Sequence, residues 1–199
     1  MPEPRPPRTA DGDAFRFRAG RLSLDLCSTL LWRYRAPSEQ LRVPHDLARW
    51  LREAGVQPVP RAVRDQDLHQ ARELREAIYG LVHDRLARRT LAKPHVATIN
   101  ALAAHPDPAP RLTAAGEIGY RADEPAAAAL SRIARDAIEL LAGSTAARVR
   151  ECAAPDCAFL FVDTSRAGRR RWCAMARCGN REHVRKHRRR LSDGGEVSP

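Results

Sequence analysis

Apolar residues along this chain recur mostly at helical spacing, with prolines and glycines marking where each run stops. Phe15 and Phe17 alternate with Arg16 and Arg18, and Gly20 turns the chain into Leu22-Ser23-Leu24, which predicts a short hairpin or edge strand. From Leu24 the period changes. Leu24, Cys27, Leu31 and Tyr34 fall close to one face, predicting a helix that Pro37 ends. A second helix is expected from Pro44, where proline suits the first turn, with Leu47, Trp50 and Leu51 inward and a stop at Gly55. Asp65 or Asp67 caps a long helix whose stripe runs Leu68, Ala71, Leu74, Ile78, Leu81, Val82 and Leu86. Pro94 opens a further helix through Val96, Ile99 and Leu102, and proline content makes 105–111 a loop. Leu112-Thr113 and Ile118-Gly119-Tyr120 predict a small hairpin. Glu124-Pro125 then starts an Ala-rich helix carrying Leu130, Ile133, Ala137 and Leu140, stopped by Gly143. Residues 15–147 thus read as a helical domain, mostly α with small β hairpins. Residues 1–14, with four of the fifteen prolines, read as a disordered tail, and 192–199 as a second one.

Composition sharpens this picture in two ways. Of 199 residues 43 % are hydrophobic, enough for a sizeable core. No apolar run approaches the ~20 residues of a membrane span. The start of the chain lacks a secretory h-region, so a cytoplasmic protein without a membrane partner is expected. The formal charge of +11 favours polyanions, nucleic acid ahead of anionic membrane. That charge is unevenly placed: residues 148–191 hold thirteen Arg and Lys against four acids, while the first 147 residues carry only +4. Only Lys93 and Lys186 are lysines, so the positive charge is nearly all guanidinium, which binds phosphate bidentately.

The same basic stretch contains four of the five cysteines, as Cys152-x4-Cys157 and Cys173-x4-Cys178 with fifteen residues between the pairs. Two such knuckles supply the four soft ligands of a tetrahedral Zn²⁺ site. A redox switch that ejects zinc, or a disulfide, is the alternative, although neither pair has the C-x-x-C spacing of thioredoxin-type sites. Phe159-Leu160-Phe161-Val162 signals a strand, with Arg169-Arg170-Arg171-Trp172 as its hairpin return. A helix is expected over 180–191. Knuckle, hairpin, knuckle, helix is treble-clef-like in outline.

Cys152-Ala-Ala-Pro-Asp-Cys157, Phe161-x-Asp163-Thr-Ser-Arg166 and Arg170-Arg-Trp-Cys-x-Met175-x-x-Cys178-Gly-Asn-Arg181 closely resemble the CGNR zinc-finger family. The N-terminal part is similar to the ABATE domain usually fused to it, through Gly20-x-Leu22-x-Leu24-Asp25, Leu47-x-x-Trp50-Leu51-x-x-Ala54-Gly55 and Leu74-Arg-Glu-Ala-Ile-Tyr79. The resemblance implies a bacterial, stress-induced transcription regulator that binds DNA through its finger, with Cys152, Cys157, Cys173 and Cys178 as the zinc ligands. Phe159 stands where the family typically has Trp, Ala167 where Asn is usual, and Ser28 where an Asp-x-x-Asn-Thr pattern expects Asn.

The expected division is therefore an ABATE-like helical domain over 15–147, sensing or dimerising, and a CGNR-type finger over 148–191. In the finger two basic surfaces are expected to meet duplex DNA: the loop with Arg166, Arg169, Arg170 and Arg171, and the helix with Arg181, Arg185, Lys186, Arg188 and Arg189. Asn180 is expected to cap that helix, Trp172 to pack over the zinc site and Met175 to fill core between the knuckles. Asp25 with Thr29 is a candidate ligand pair, a cap or a buried hydrogen-bonded pair being the alternative. The lone Cys27 reads as a small buried hydrophobe. No P-loop, G-x-G-x-x-G, G-x-S-x-G or H-E-x-x-H motif is present, so no enzyme is expected. A zinc-stapled protein-interaction adaptor and an RNA-binding protein are the other function classes that the basic finger admits.

Overall fold

A computed structural model describes residues 14–193, with side chains described through Arg188. The expected tails at 1–14 and 192–199 lie almost wholly outside the described residues. Six helices and three two-stranded antiparallel ladders make up the described chain, a mostly α fold.

The N-terminal part differs from the expected hairpin and long first helix. Residues 15–19 form no strand ladder, and Gly20, at φ 85°, turns them into α1 (Leu22–Cys27). Leu22-Ser23-Leu24 is therefore helical. The first turn of α1 is satisfied from a distance: Asp136 Oδ2 accepts the Ser23 N–H at 2.8 Å. The helix ends early because two hydroxyls compete for its carbonyls. Ser28 Oγ donates to Asp25 O at 2.7 Å, and Thr29 Oγ1 donates to Leu26 O at 2.7 Å. Leu30–Leu31 then forms β1, which pairs with β2 (Ser38–Glu39), and between them Trp32 takes a left-handed φ of 56°. A helical apolar period was present at 24–34, and local hydroxyl chemistry cut it short.

The remaining helices match their patterns closely. α2 is Pro44–Glu53, α3 Asp65–Leu86, α4 Lys93–Ala103 and α5 Pro125–Ala142. Asp67, in the first turn of α3, accepts the Arg64 N–H at 2.8 Å, and Asp46 does the same for Arg42 and Val43 before α2. β3 (Ala109–Leu112) and β4 (Ile118–Arg121) form the expected hairpin, with β3 reaching back into the proline loop. α3, α4 and α5 pack on one another, α1 lies against α3 and α5, and Leu74, Ile78, Leu130 and Ile133 are fully buried between them.

After one 3-10 turn (Ser144–Arg148) come β5 (Val149–Glu151) and β6 (Leu160–Val162). β6 pairs with β5, in the register Val149↔Val162 to Glu151↔Leu160, and not with 169–172 as expected. All three residues of β6 are buried, which requires a partner with an apolar face; β5 stands against α3, and β6 against α1. The Val162 N–H donates to Ala19 O at 2.8 Å. The core of the helical part therefore continues into the finger without a gap, through Val149, Phe159, Leu160 and Phe161 to the four cysteines. α6 (Asn180–Asp193) closes the described chain.

Candidate metal centre and the basic surface around it

Two short loops bring the cysteines together. In the first, the Cys152 N–H donates to Phe159 O at 3.0 Å and the Cys157 N–H to Ala154 O at 2.9 Å, folding 152–159 back on itself. In the second, a single wide turn (Met175–Gly179) follows Cys173, where the Cys178 and Gly179 N–H groups both donate to Ala174 O. The Ala153 N–H, bonded to Arg171 O at 2.8 Å, fastens one loop to the other. All four thiols are buried, and their Sγ atoms lie within 4.8 Å of one another. Cys157 and Cys173 are 3.9 Å apart, Cys173 and Cys178 3.5 Å. With Zn–S bonds of about 2.3 Å, a tetrahedral site sets its sulfurs about 3.8 Å apart, so these spacings fit. Hydrogen bonds from Cys157, Cys173 and Cys178 push the Cys152 thiol well below its usual range, whereas the bond to Cys152 pushes Cys157 up. Four crowded thiols cannot all ionise without a cation among them.

Around this centre some arginines are structural and others are free. Asp163, fully buried, accepts the backbone N–H groups of Ser165 and Arg170, each at 2.9 Å, closing the loop that carries the basic tip. Ser165, through its side chain and its N–H, with the Arg170 N–H, holds the Asp163 carboxyl at about 2. Arg148 donates to Asp163 O and Ser165 O from the other side. Arg170 is turned inward: it donates to Trp172 O and Cys173 O and lies 4.5 Å from the Phe161 ring. Arg181 pairs with Asp156 at 2.7 Å, approaches Cys178 Sγ at 3.8 Å and lies over the Trp32 ring. Arg185 pairs with Glu182.

Of the nine basic residues expected at DNA, Arg166, Arg169, Arg171, Lys186 and Arg188 are exposed, whereas Arg170, Arg181 and Arg185 are engaged within the chain. Arg189 is placed in α6, but its side chain lies outside the described ones. Asn180 has helical dihedrals (φ −60°, ψ −42°) and continues the turn begun at Met175, so it is not the expected cap; its exposed side chain is left available. Met175 is 57 % exposed and is not core. Trp172 does pack on the second knuckle, its Cδ1 3.3 Å from where a Cβ on Gly179 would stand.

The expected ligand pair separates into two unrelated networks. Asp25 Oδ1 accepts the N–H groups of Arg18 and Ala19, each at 2.9 Å, pinning the chain that supports β6. Thr29 Oγ1 instead accepts from Arg75, which is 3 % exposed and doubly bonded to Glu39 at 2.7 Å. Both side chains are occupied by the fold. Cys27 is buried as expected, its thiol pushed up to about 12 by burial.

One polar cluster escaped the sequence reading. Tyr34 donates to Glu151 of β5, Tyr79 places its hydroxyl 2.8 Å from that of Tyr34 and 3.2 Å from the same Glu151 oxygen with one proton to give to either, and His83 Nε2 stands 3.7 Å from that carboxylate. Glu151, next to Cys152, thereby ties the finger to α3. Tyr79 ends the ABATE-like stretch Leu74–Tyr79 and Glu151 is one of four acids in the basic segment, but no spacing rule joins residues 72 apart.

Four buried thiolates on a small β ladder, followed by a basic helix, define a structural zinc finger set on a helical body. Residues 20–144 match the ABATE family model, described as "Putative stress-induced transcription regulator", and residues 148–191 match the CGNR zinc finger model. The chain belongs to the ABATE family and carries a CGNR zinc finger, whose cofactor is Zn²⁺. No curated protein matches the chain.

Proposed function

We propose that this chain is a DNA-binding transcription regulator, with residues 148–191 as the DNA-binding part and residues 15–147 as the part that senses or dimerises. The observation that carries this reading is the free basic surface of the finger. Arg166, Arg169 and Arg171 on the loop and Lys186 and Arg188 on α6 are exposed and have no carboxylate partner among the described residues, Arg171 lying over the Trp172 ring at 5.1 Å. The supporting arginines divide from them by role: Arg170 and Arg181 hold the loop and the knuckle in place, and Asp163 closes the loop. Bound Zn²⁺ supplies a crosslink among four thiolates and leaves no open position for a substrate, in keeping with a non-catalytic role. Phosphate contacts supply most of the affinity, and Asn180, exposed at the start of α6, is the residue able to read an adenine edge.

Duplex-DNA affinity measured across salt concentrations, with zinc assayed on the same sample, tests this. Five phosphate contacts give a slope of log K against log[salt] of about −4 to −5, at ~0.9 per contact. Replacing Arg166, Arg169 and Arg171 together by Gln flattens that slope by about 3 while zinc content stays unchanged. Flat or undetectable binding by zinc-replete protein overturns the reading in favour of a protein-interaction adaptor. Equal competition by single-stranded RNA overturns the preference for duplex DNA.

A further inference from the structure

Two neighbouring hollows lie beside the junction between the helical body and the finger. The first, about 390 Å³, is bounded by the end of α3, the end of α5 and the start of β5, and three arginines line it: Arg85, Arg88 and Arg150. The second, about 330 Å³, has a mainly apolar wall that includes Leu91, Val96, Ile99 and Ile138. The two share Arg85 and Leu141. No carboxylate lines either hollow, and none of the three arginines has an acidic partner among the described residues. Where buried arginines of the body lie close to acids they pair with them, as in Arg75–Glu39 and Arg21–Asp136. Arg85 and Arg150 spend part of their donor capacity on the carbonyls of Leu141, Ala147 and Val149. A guanidinium offers five N–H donors, so each retains several.

Arg88 reaches the first hollow from the turn after α3. It sits just past α3 at φ 55°, the left-handed conformation that glycine adopts freely and an L-residue only with strain. That turn brings the Arg88 side chain to the first hollow, beside Arg85 and Arg150.

We infer that this junction is a binding site for an organic anion with an apolar body. Its charged head would lie among Arg85, Arg88 and Arg150, and its body on the wall formed by Leu91, Val96, Ile99 and Ile138. Guanidinium groups bind carboxylate in fork geometry, and pockets of this size with an apolar wall and a few convergent polar groups suit small molecules. Arg150 lies in β5, two residues before Cys152, so an occupant would touch the body and the root of the finger at once. The inference gives the sensing part of the proposed regulator a ligand class and in that sense rests on that reading. Its test contains no DNA, so the two fail separately.

The test is isothermal titration of the zinc-loaded full chain with octanoate, with acetate and 1-octanol as partial probes. Octanoate should bind saturably, and each partial probe about tenfold more weakly or worse. Arg88→Gly should weaken octanoate about tenfold or more while leaving the melting temperature equal or higher, because glycine relieves the backbone. Arg150→Gln should act in the same direction, and the Arg166→Gln/Arg169→Gln pair should leave octanoate binding unchanged. Absence of saturable heat, equal response to acetate and octanoate, or octanoate binding that survives both Arg88→Gly and Arg150→Gln would overturn the inference.

Discussion

At the scale of single residues, the burial of charge decides behaviour more than its sign. Asp25 is 9 % exposed, and burial raises its carboxyl to about 6, against the two N–H groups that favour its ionised form and with nearby Asp136 adding to the rise. The folded chain therefore holds this proton more tightly than the unfolded chain does. The stabilisation is complete below about 4 and is lost as pH rises through about 6, the reverse of ordinary acid denaturation. Asp25→Asn keeps an acceptor oxygen for both N–H groups and has no proton to lose. Its unfolding free energy from urea titration should match that of the parent near pH 4 and exceed it at pH 7.5, by up to about 3 kcal/mol. A difference that is constant across this range would refute the assignment. Asp163 has the opposite sign: held at about 2, it stabilises at any pH above about 4 and fails only in strong acid. The charge count treats Asp25 and Asp163 alike, and only the folded chain separates a strained carboxylate from a stapled one.

At the scale of elements, long stripes were readable and short-range competition was not. α2, α3, α4 and α5 each have a proline or an acidic cap at the start and an apolar face of adequate length, so period and punctuation agree. α1 fails as a prediction because hydroxyls on Ser28 and Thr29 take helix carbonyls, and because its N-terminal donor is met by Asp136, more than a hundred residues away. The pairing of β6 with β5 was missed for a related reason: hairpin logic favours the nearer return, and the N–H of Val162 is met by Ala19. The cysteine ligands were readable because metal chemistry constrains residue type and spacing together. The division of the arginines into free and structural ones was not, since composition cannot show where a guanidinium is aimed. Arg75 illustrates this: within the motif Leu74–Tyr79 nothing in its residue type marks it as inward, yet it is buried and joins α3 to β2 through Glu39 and to Thr29. Arg75→Ala leaves that charge network broken and should cost about 3–5 kcal/mol in denaturant unfolding, whereas Arg61→Ala on the exposed connector should cost nearly nothing.

At the scale of the whole molecule, body and finger unfold together if their core is one. Removing Zn²⁺ with a chelator should then lower the midpoint of the entire chain and not release a separate low-temperature transition. Calorimetry on holo and chelated protein distinguishes the two outcomes, and Cys173→Ser should reproduce the chelated profile. Two resolved transitions in the holoprotein, the lower one alone sensitive to metal, would show that the finger stands by itself despite its contacts. Among the described residues no helix is long and apolar enough to cross a membrane.

The seam between the parts also has a geometric consequence. Trp32, flanked by Arg16 at 5.9 Å and Arg181 at 5.5 Å, together with the Ala19–Val162 hydrogen bond, fixes α6 in direction relative to the body. Two copies joined body to body would thus present their α6 helices at one distance and one twist, with no tether to absorb error. On the proposed DNA-binding reading, the spacing of the half-sites they would occupy would be written in the contact between bodies. Inserting a single base pair between half-sites would rotate one by about 35° and should be tolerated poorly.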